Sequence, residues 1–555
     1  MHQPFRAPVE SEPESTRRAL LRLQRGVHRR LQAEVRAFTG GNSPAIERYY
    51  REYTREFKRY QSVSSYGELH QTLLDSDLVL IGDYHTLRQS QQAALRLLQR
   101  AAADSRPACL GVEMILAEHQ ECLDSYMAGT LSDGDFLRAV QYHRTWNFDW
   151  ENYRPLFAEA RRLGVRVLGI NHPARGPRSR IQERDGRIAE SLGAILQARP
   201  EARLLVLIGD LHLASNHLPR ALDRRLGLLG LQPRRLLVYQ NSDTLYWSLA
   251  ERGSEVETQV VRLGRGRYCV MEVPPYVKLQ SYLSWEQALE RCGDGAGRPD
   301  DWPEPSCANV LAHLVAQMCQ FLELPLVEAG CEVFTSLDES FFEALHAASV
   351  LGEERVRQIH LNAFANRSCC VPELDLVYLP YFSVNHAAEE AMHVVMAKLD
   401  GAMRAERDAY EDFYAHVLWA GVGYVGSKIV NSRRRASTEA DFRNFLQVAS
   451  RRLHDPELAF RKLVARFVVQ HKDHEGARRT GRRGRLKQIY DQEIEVRIEV
   501  TLALGYMLGE AIAAALRAGK LGRPWLRDLV LSPLAPTPSE RYFSLIDEIE
   551  KLGAI

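Results

Sequence analysis

Asp77-Leu-Val-Leu-Ile-Gly-Asp-Tyr-His85 reads as an apolar strand that stops at a glycine, followed by side chains able to bind protons or ligands. The phrase returns at Leu204-Leu-Val-Leu-Ile-Gly-Asp-Leu-His212. Short apolar runs bounded by glycine are the pattern of strands buried on both faces of a parallel sheet. In such sheets ligands bind outside the carboxyl ends of the strands. Two copies of G-D-x-H therefore aim Asp83, His85, Asp210 and His212 at one crevice.

The flanking sequence alternates in the same texture. Strand candidates are Leu78–Ile81, Ala108–Val112, Val165–Ile170, Leu204–Ile208 and Arg235–Tyr239. Helical stretches Gln89–Ala103, Leu116–Met127, Asp135–Val140, Tyr153–Leu163 and Gly186–Gln197 lie between them. The alternation predicts an α/β domain with a largely parallel sheet flanked by helices. Glu255–Leu263 and Arg267–Val273, joined through Gly264-Arg-Gly266, read as an added antiparallel pair.

Each strand delivers a polar group just past its apolar run. The second gives Glu113, the third Asn171 and His172, and the last Gln240 and Asn241. Imidazoles with carboxylates make a mixed N/O donor set suited to Zn, Mn or Fe. His85, Glu113, His212, Asp83 and Asp210 are thus candidate metal ligands, and a metal with an open position would activate a water. Glu113 is also a candidate general base. The alternative is that His85 and His212 only hydrogen-bond across the top of the sheet.

At 555 residues the chain is too long for one hydrophobic core. Seventy-two basic and 71 acidic residues leave a net charge of +1 and no global field for nucleic acid or anionic membrane. The nine cysteines contain no C-x-x-C, which argues against a disulfide framework and for a reducing compartment. The polar start, Met1-His-Gln-Pro-Phe-Arg, has no apolar leader, and no run approaches eighteen uninterrupted apolar residues. The expectation is a cytoplasmic protein without a membrane span. Residues 1–65 read as a helical extension with a disordered start, 66–290 as the α/β domain, 291–306 as a Gly/Pro-rich linker, and 307–555 as a mostly α-helical domain.

The α/β domain resembles the ChaN haem-binding proteins, within a superfamily that includes Tiki-type metalloproteases, TraB-like proteins and erythromycin esterases. The resemblance is carried by G-D-Y-H at 82–85, G-V-E-M at 111–114, Gln120–Tyr126, Trp150–Pro155, Gly169-Ile-Asn171, Glu183–Ala189 and G-D-L-H-L at 209–213, over about residues 66–245. It implies a pocket at the G-x-x-H strand ends, with His85, Glu113 and His212 as site residues and Arg184 and Asp185 as supports. Arg184 thereby joins Glu113 as a candidate catalytic residue, a helix-face ion pair being its alternative. Haem ligation in the family uses Tyr and His, so His85, Tyr84, Asn171 and His172 are candidate cofactor contacts. Neighbours on a strand point to opposite faces, which would separate Tyr84 from His85. The aromatic cluster Tyr142, Trp146, Phe148, Trp150 and Tyr153 would either wall a flat slot or pack the core.

In the helical half, Asn385-His-Ala-Ala-Glu-Glu-Ala-Met-His393 places His386, Glu390 and His393 on nearby helix faces. Glu390-x-x-His393 has the form found in di-iron bundles, which makes these three a candidate second metal site. Gly421-Val-Gly-Tyr-Val-Gly-Ser-Lys428 lacks the spacing of a phosphate loop and reads as close helix packing.

Three functions fit these observations. One is a haem- or metal-binding protein, its cofactor either haem or a divalent ion (Zn, Mn or Fe). A metal-dependent hydrolase of peptide or ester bonds would use the same residues. The third is an interaction protein with a vestigial site. In the first two cases the partner is a small molecule or metallocofactor and in the third a protein; nucleic acid and membrane are not expected, and self-association stays open.

Overall fold

All six residues of Leu78–Asp83 are buried, and this strand lies inside an eight-stranded sheet. The computed structural model describes residues 12–39, 44–173, 181–291, 307–335, 340–400, 407–448, 455–479 and 489–553. In chain order the strands are β1 (Ser62–Ser64), β2 (Leu78–Asp83), β3 (Ala108–Leu116), β4 (Arg166–Asn171), β5 (Arg203–Gly209), β6 (Arg235–Gln240), β7 (Val260–Gly264) and β8 (Arg267–Val270). Their spatial order is β1-β7-β8-β6-β2-β5-β3-β4. The pairs from β4 through to β8 are parallel, whereas β7 runs antiparallel to β8 and to β1. The largely parallel sheet and its added antiparallel pair are as the sequence implied; β1, only three residues long, carried no readable periodicity.

Contacts divide the chain into two compact units, residues 32–303 and residues 1–31 with 304–555. The stretch 1–65 is accordingly shared, with helix Pro44–Arg55 in the α/β unit. The linker expected at 291–306 lies almost wholly outside the described residues. Within the α/β unit, Val79, Ile81, Leu110, Val112, Leu205 and Leu207 are at most 1 % exposed and form the core beneath helices on the sheet. Burying such side chains stabilises by about 1.5–3 kcal/mol each. The helix expected from Leu116 starts later, because β3 continues through Leu116 and a 3₁₀ turn precedes helix Gln120–Met127.

The other unit is mainly helical, with Cys307–Leu322, Val384–Leu399, Ala409–Val430 and Ile494–Arg517 packed together. A small sheet of Glu332–Phe334, Cys369–Val371 and Leu376–Tyr378 accompanies them. Ile494–Arg517 is long and apolar enough to cross a membrane by length and composition, but 61 % of its apolar window is buried inside the protein, as in a core helix. It crosses Ala409–Val430 at glycines: a Cβ on Gly509 would lie 2.5 Å from the Gly421 carbonyl oxygen. Gly421 and its neighbours are therefore packing residues. Gly509→Ala is expected to destabilise this unit by about 1–2 kcal/mol, because overpacking against backbone outweighs the gain in helix propensity. Denaturant unfolding reads the difference, and an unchanged midpoint would contradict the packing argument.

Candidate functional site

The two G-D-x-H phrases end adjacent parallel strands, but not in matching register. Asp83 pairs with Gly209, and Gly82 with Ile208. A one-residue offset exchanges the faces to which side chains point. The two histidines, which follow the paired strands, have different surroundings.

Asp83 is 2 % exposed and accepts hydrogen bonds from Gln91 Nε2 (2.5 Å), Tyr153 Oη (2.8 Å) and His85 Nδ1 (2.9 Å). The last contact assigns the proton of a neutral His85 to Nδ1 and leaves Nε2 as an acceptor. No hydrogen bond to His85 Nε2 occurs among the described residues. Burial works to lower the pKa of His85; the Asp83 hydrogen bond and the charges of Asp83, Glu113 and Asp210 outweigh it, and the shift is upward. The ring lies against Trp146 (centroids 4.5 Å apart) and Phe148 (4.8 Å), and Phe148 leans on Trp285 at 4.7 Å.

Gly209 separates His85 from Glu113. A Cβ there would stand 3.2 Å from His85 Cε1 and Nε2 and 3.4 Å from Glu113 Oε2. Its φ of −47° is open to any residue, so the glycine is needed for space rather than for conformation.

Glu113, also 2 % exposed, receives Arg184 Nη2 on Oε1 at 2.6 Å and the Gly209 N–H on Oε2 at 2.7 Å. His212 Nε2 stands 3.5 Å from Oε1. Burial would raise the pKa of this carboxyl, but His212, Arg184 and His85 hold it well below the usual carboxylate range. On its other side His212 Nδ1 meets Asp185 Oδ1 at 2.5 Å. Burial pulls the His212 pKa down, yet Glu113 and Asp185 push it up to about 9, so this imidazole is a cation at neutral pH.

Helix Pro44–Arg55 closes this side with a residue that sequence reasoning did not single out. Tyr49 donates to Asp185 Oδ2 at 2.8 Å and lies 3.3 Å from His212 Nδ1. Its ring stacks on His217 at 3.4 Å, and His217 Nε2 bonds Glu52 of the same helix at 2.8 Å. Burial, then the Asp185 charge, raises the Tyr49 pKa and keeps the phenol protonated.

The remaining candidates divide. Asp210 lies against Gly82, where an added Cβ would stand 3.3 Å from Asp210 Cβ; burial raises its pKa to about 6 against the pull of Lys278 and His85. Lys278 Nζ meets Asp243 at 2.6 Å and lies 5.5 Å above the Tyr84 ring. β2 ends at Asp83, so the strand alternation does not reach Tyr84 and His85, and both line one cleft. That corrects the expected separation. Asn171 and His172 reach the same cleft; Asn171 Oδ1 accepts the His172 N–H at 2.9 Å and His172 Nε2 lies 2.8 Å from Ser191 Oγ, which directs them to local contacts. The cleft has a volume of about 1520 Å³.

The five residues proposed as metal ligands gather here without forming a metal centre. Among the described residues, no three His, Cys, Asp or Glu side chains are placed to hold an ion. Their donors are directed at one another instead: Glu113 to Arg184, Gly209 and His212, Asp83 to Gln91, Tyr153 and His85. In the helical unit, His393 binds Glu390 at 2.9 Å through Nδ1 and reaches the Trp419 carbonyl at 3.0 Å through Nε2, so both nitrogens are occupied. His386 makes no bond with them; it leans on Tyr381. This trio is a buried polar contact, with Glu389 held by Arg434 (2.6 Å) and Tyr506 (2.7 Å) beside it.

Residues 69–183 match the family described as "Haem-binding uptake, Tiki superfamily, ChaN". No curated protein matches the chain. Among solved structures, one titled "Cofacial heme binding to ChaN of Campylobacter jejuni" aligns at 13 % identity, covering 32 % of this chain and 86 % of its own, with a TM-score of 0.25. The type III effector HopBA1 aligns at 13 % identity over 33 % of this chain and 87 % of its own, with a TM-score of 0.24. Scores this low bear on no detail of the site. Asp83, Tyr84, His85, Glu113, Asn171 and His172 fall inside the family match, whereas Tyr49, Arg184, Asp185, Asp210 and His212 fall outside it. Over residues 69–183 the α/β unit is similar to the ChaN family.

Proposed function

We propose that the α/β unit binds an iron tetrapyrrole of the haem type in this cleft, with His85 as the ligand-facing residue. The family match supports haem-type binding in general. One observation carries the assignment to His85: its Nδ1 is held by Asp83 while Nε2, the nitrogen suited to coordinate, has no other partner. His212 is committed on both nitrogens and does not fit that role. Trp146, Phe148 and Trp285 offer apolar surface to a flat ring, and Tyr84 brings a phenol to the same cleft. A bound iron would supply the coordination chemistry; the chain supplies a fixed imidazole beside an aromatic wall.

The test is haemin titration of the intact chain, followed at the Soret band. His85→Ala is expected to lose the band shift. Asp83→Asn, which keeps the imidazole but weakens its anchor, is expected to lower affinity roughly 10- to 100-fold. Absence of haemin binding, or an unchanged titration in His85→Ala, would sink the reading.

A further inference from the structure

Three arginines, Arg36, Arg51 and Arg144, line the cleft, and their side chains make no ion pair or hydrogen bond among the described residues. Several other guanidinium groups of this unit are held in ion pairs, among them Arg184 with Glu113, Arg106 with Asp77, Arg267 with Glu56 and Arg96 with Glu272. All three unmatched residues are exposed, whereas the groups deepest in the site, Asp83 and Glu113, are each 2 % exposed. Glu47, Asp83, Glu113, Asp210 and Asp243 also line the cleft, and none of them pairs with these three arginines. The cleft therefore combines buried, partnered carboxylates with exposed, unpaired guanidinium groups.

We infer that Arg36, Arg51 and Arg144 recognise anionic substituents on the ligand, so that the cleft selects a flat ring carrying carboxylates at its edge over the same ring without them. Guanidinium forks match carboxylates geometrically and in charge, and these three are free to move onto a ligand without breaking an existing pair. Two of them, Arg36 and Arg51, precede residue 69 and so lie outside the family match. The inference rests on the tetrapyrrole reading above but uses no property of His85.

Iron-free protoporphyrin IX and its dimethyl ester separate the two ideas, with fluorescence quenching as the readout beside haemin titration. The diacid is expected to bind roughly tenfold or more tightly than the diester, as paired charges worth more than about 1.4 kcal/mol in sum require. Arg36→Gln/Arg51→Gln/Arg144→Gln should abolish that preference by weakening the diacid alone. Equal affinities for diacid and diester, or an unaltered preference in the triple variant, overturn the inference while leaving haemin binding intact. Failure of all three tetrapyrroles to bind overturns the reading on which it rests, and the inference with it.

Discussion

Glu113→Ala is expected to destabilise the α/β unit by about 3 kcal/mol, the lower end for removing one member of a buried ion pair. The carboxylate is the common partner of Arg184, His212 and the Gly209 N–H. Its loss leaves an unpaired backbone donor and a buried imidazolium with one carboxylate neighbour instead of two. Two effects relieve the damage. Arg184 has a side chain 34 % exposed and turns to water, and His212 sheds its proton more readily without Glu113. Urea unfolding with tryptophan fluorescence measures the change. A loss below about 1 kcal/mol would show that Glu113 is a surface-like group, contrary to its burial.

The second large effect is a decline of stability on the alkaline side. His212 has its pKa raised from 6.5 to about 9 in the folded chain. A base with a raised folded-state pKa contributes its full stabilisation below the unfolded value and loses it as pH climbs through the folded value. The stabilisation from His212 is thus complete below pH 6.5 and fades towards pH 9, by on the order of 3 kcal/mol in total. Asp210 works earlier: its carboxyl is raised from 3.8 to about 6, so its destabilising effect sets in across that interval and is constant above it. Above pH 6.5 His85, whose pKa is also raised, contributes in the same sense, so the share of His212 is read as the difference from His212→Gln. Denaturation midpoints over this range, compared with His212→Gln, provide the check; a flat profile in the parent chain would refute the assignment.

Much of this arrangement was legible in the chain itself. Apolar runs ending in glycine located β2 and β5, and the polar residues after them marked the right end of the sheet. Glu113 stood out because an acid seldom interrupts an apolar strand without a partner. Tyr49 gave no such signal, since a tyrosine in a charged amphipathic helix looks like any residue packing on its neighbour. The occupation of the metal-like donors was equally hidden: residue types show which atoms are able to bind an ion, but only distances show that Arg184, Asp185 and Gln91 have taken them. The His386–Glu390–His393 spacing was a periodicity argument, and the backbone carbonyl of Trp419, 26 residues away, decided it.

The staggered pairing of Asp83 with Gly209 has a consequence for how the doubled phrase is understood. A motif written twice invites the idea of a twofold centre in which either half substitutes for the other. Here the halves are specialised: one histidine keeps an unpartnered Nε2, and the other is a cation at neutral pH held between Glu113 and Asp185. The difference lies in what surrounds each histidine, Asp83 on one and Glu113 with Asp185 on the other, and not in the letters of the motif. The duplication is one of wording alone.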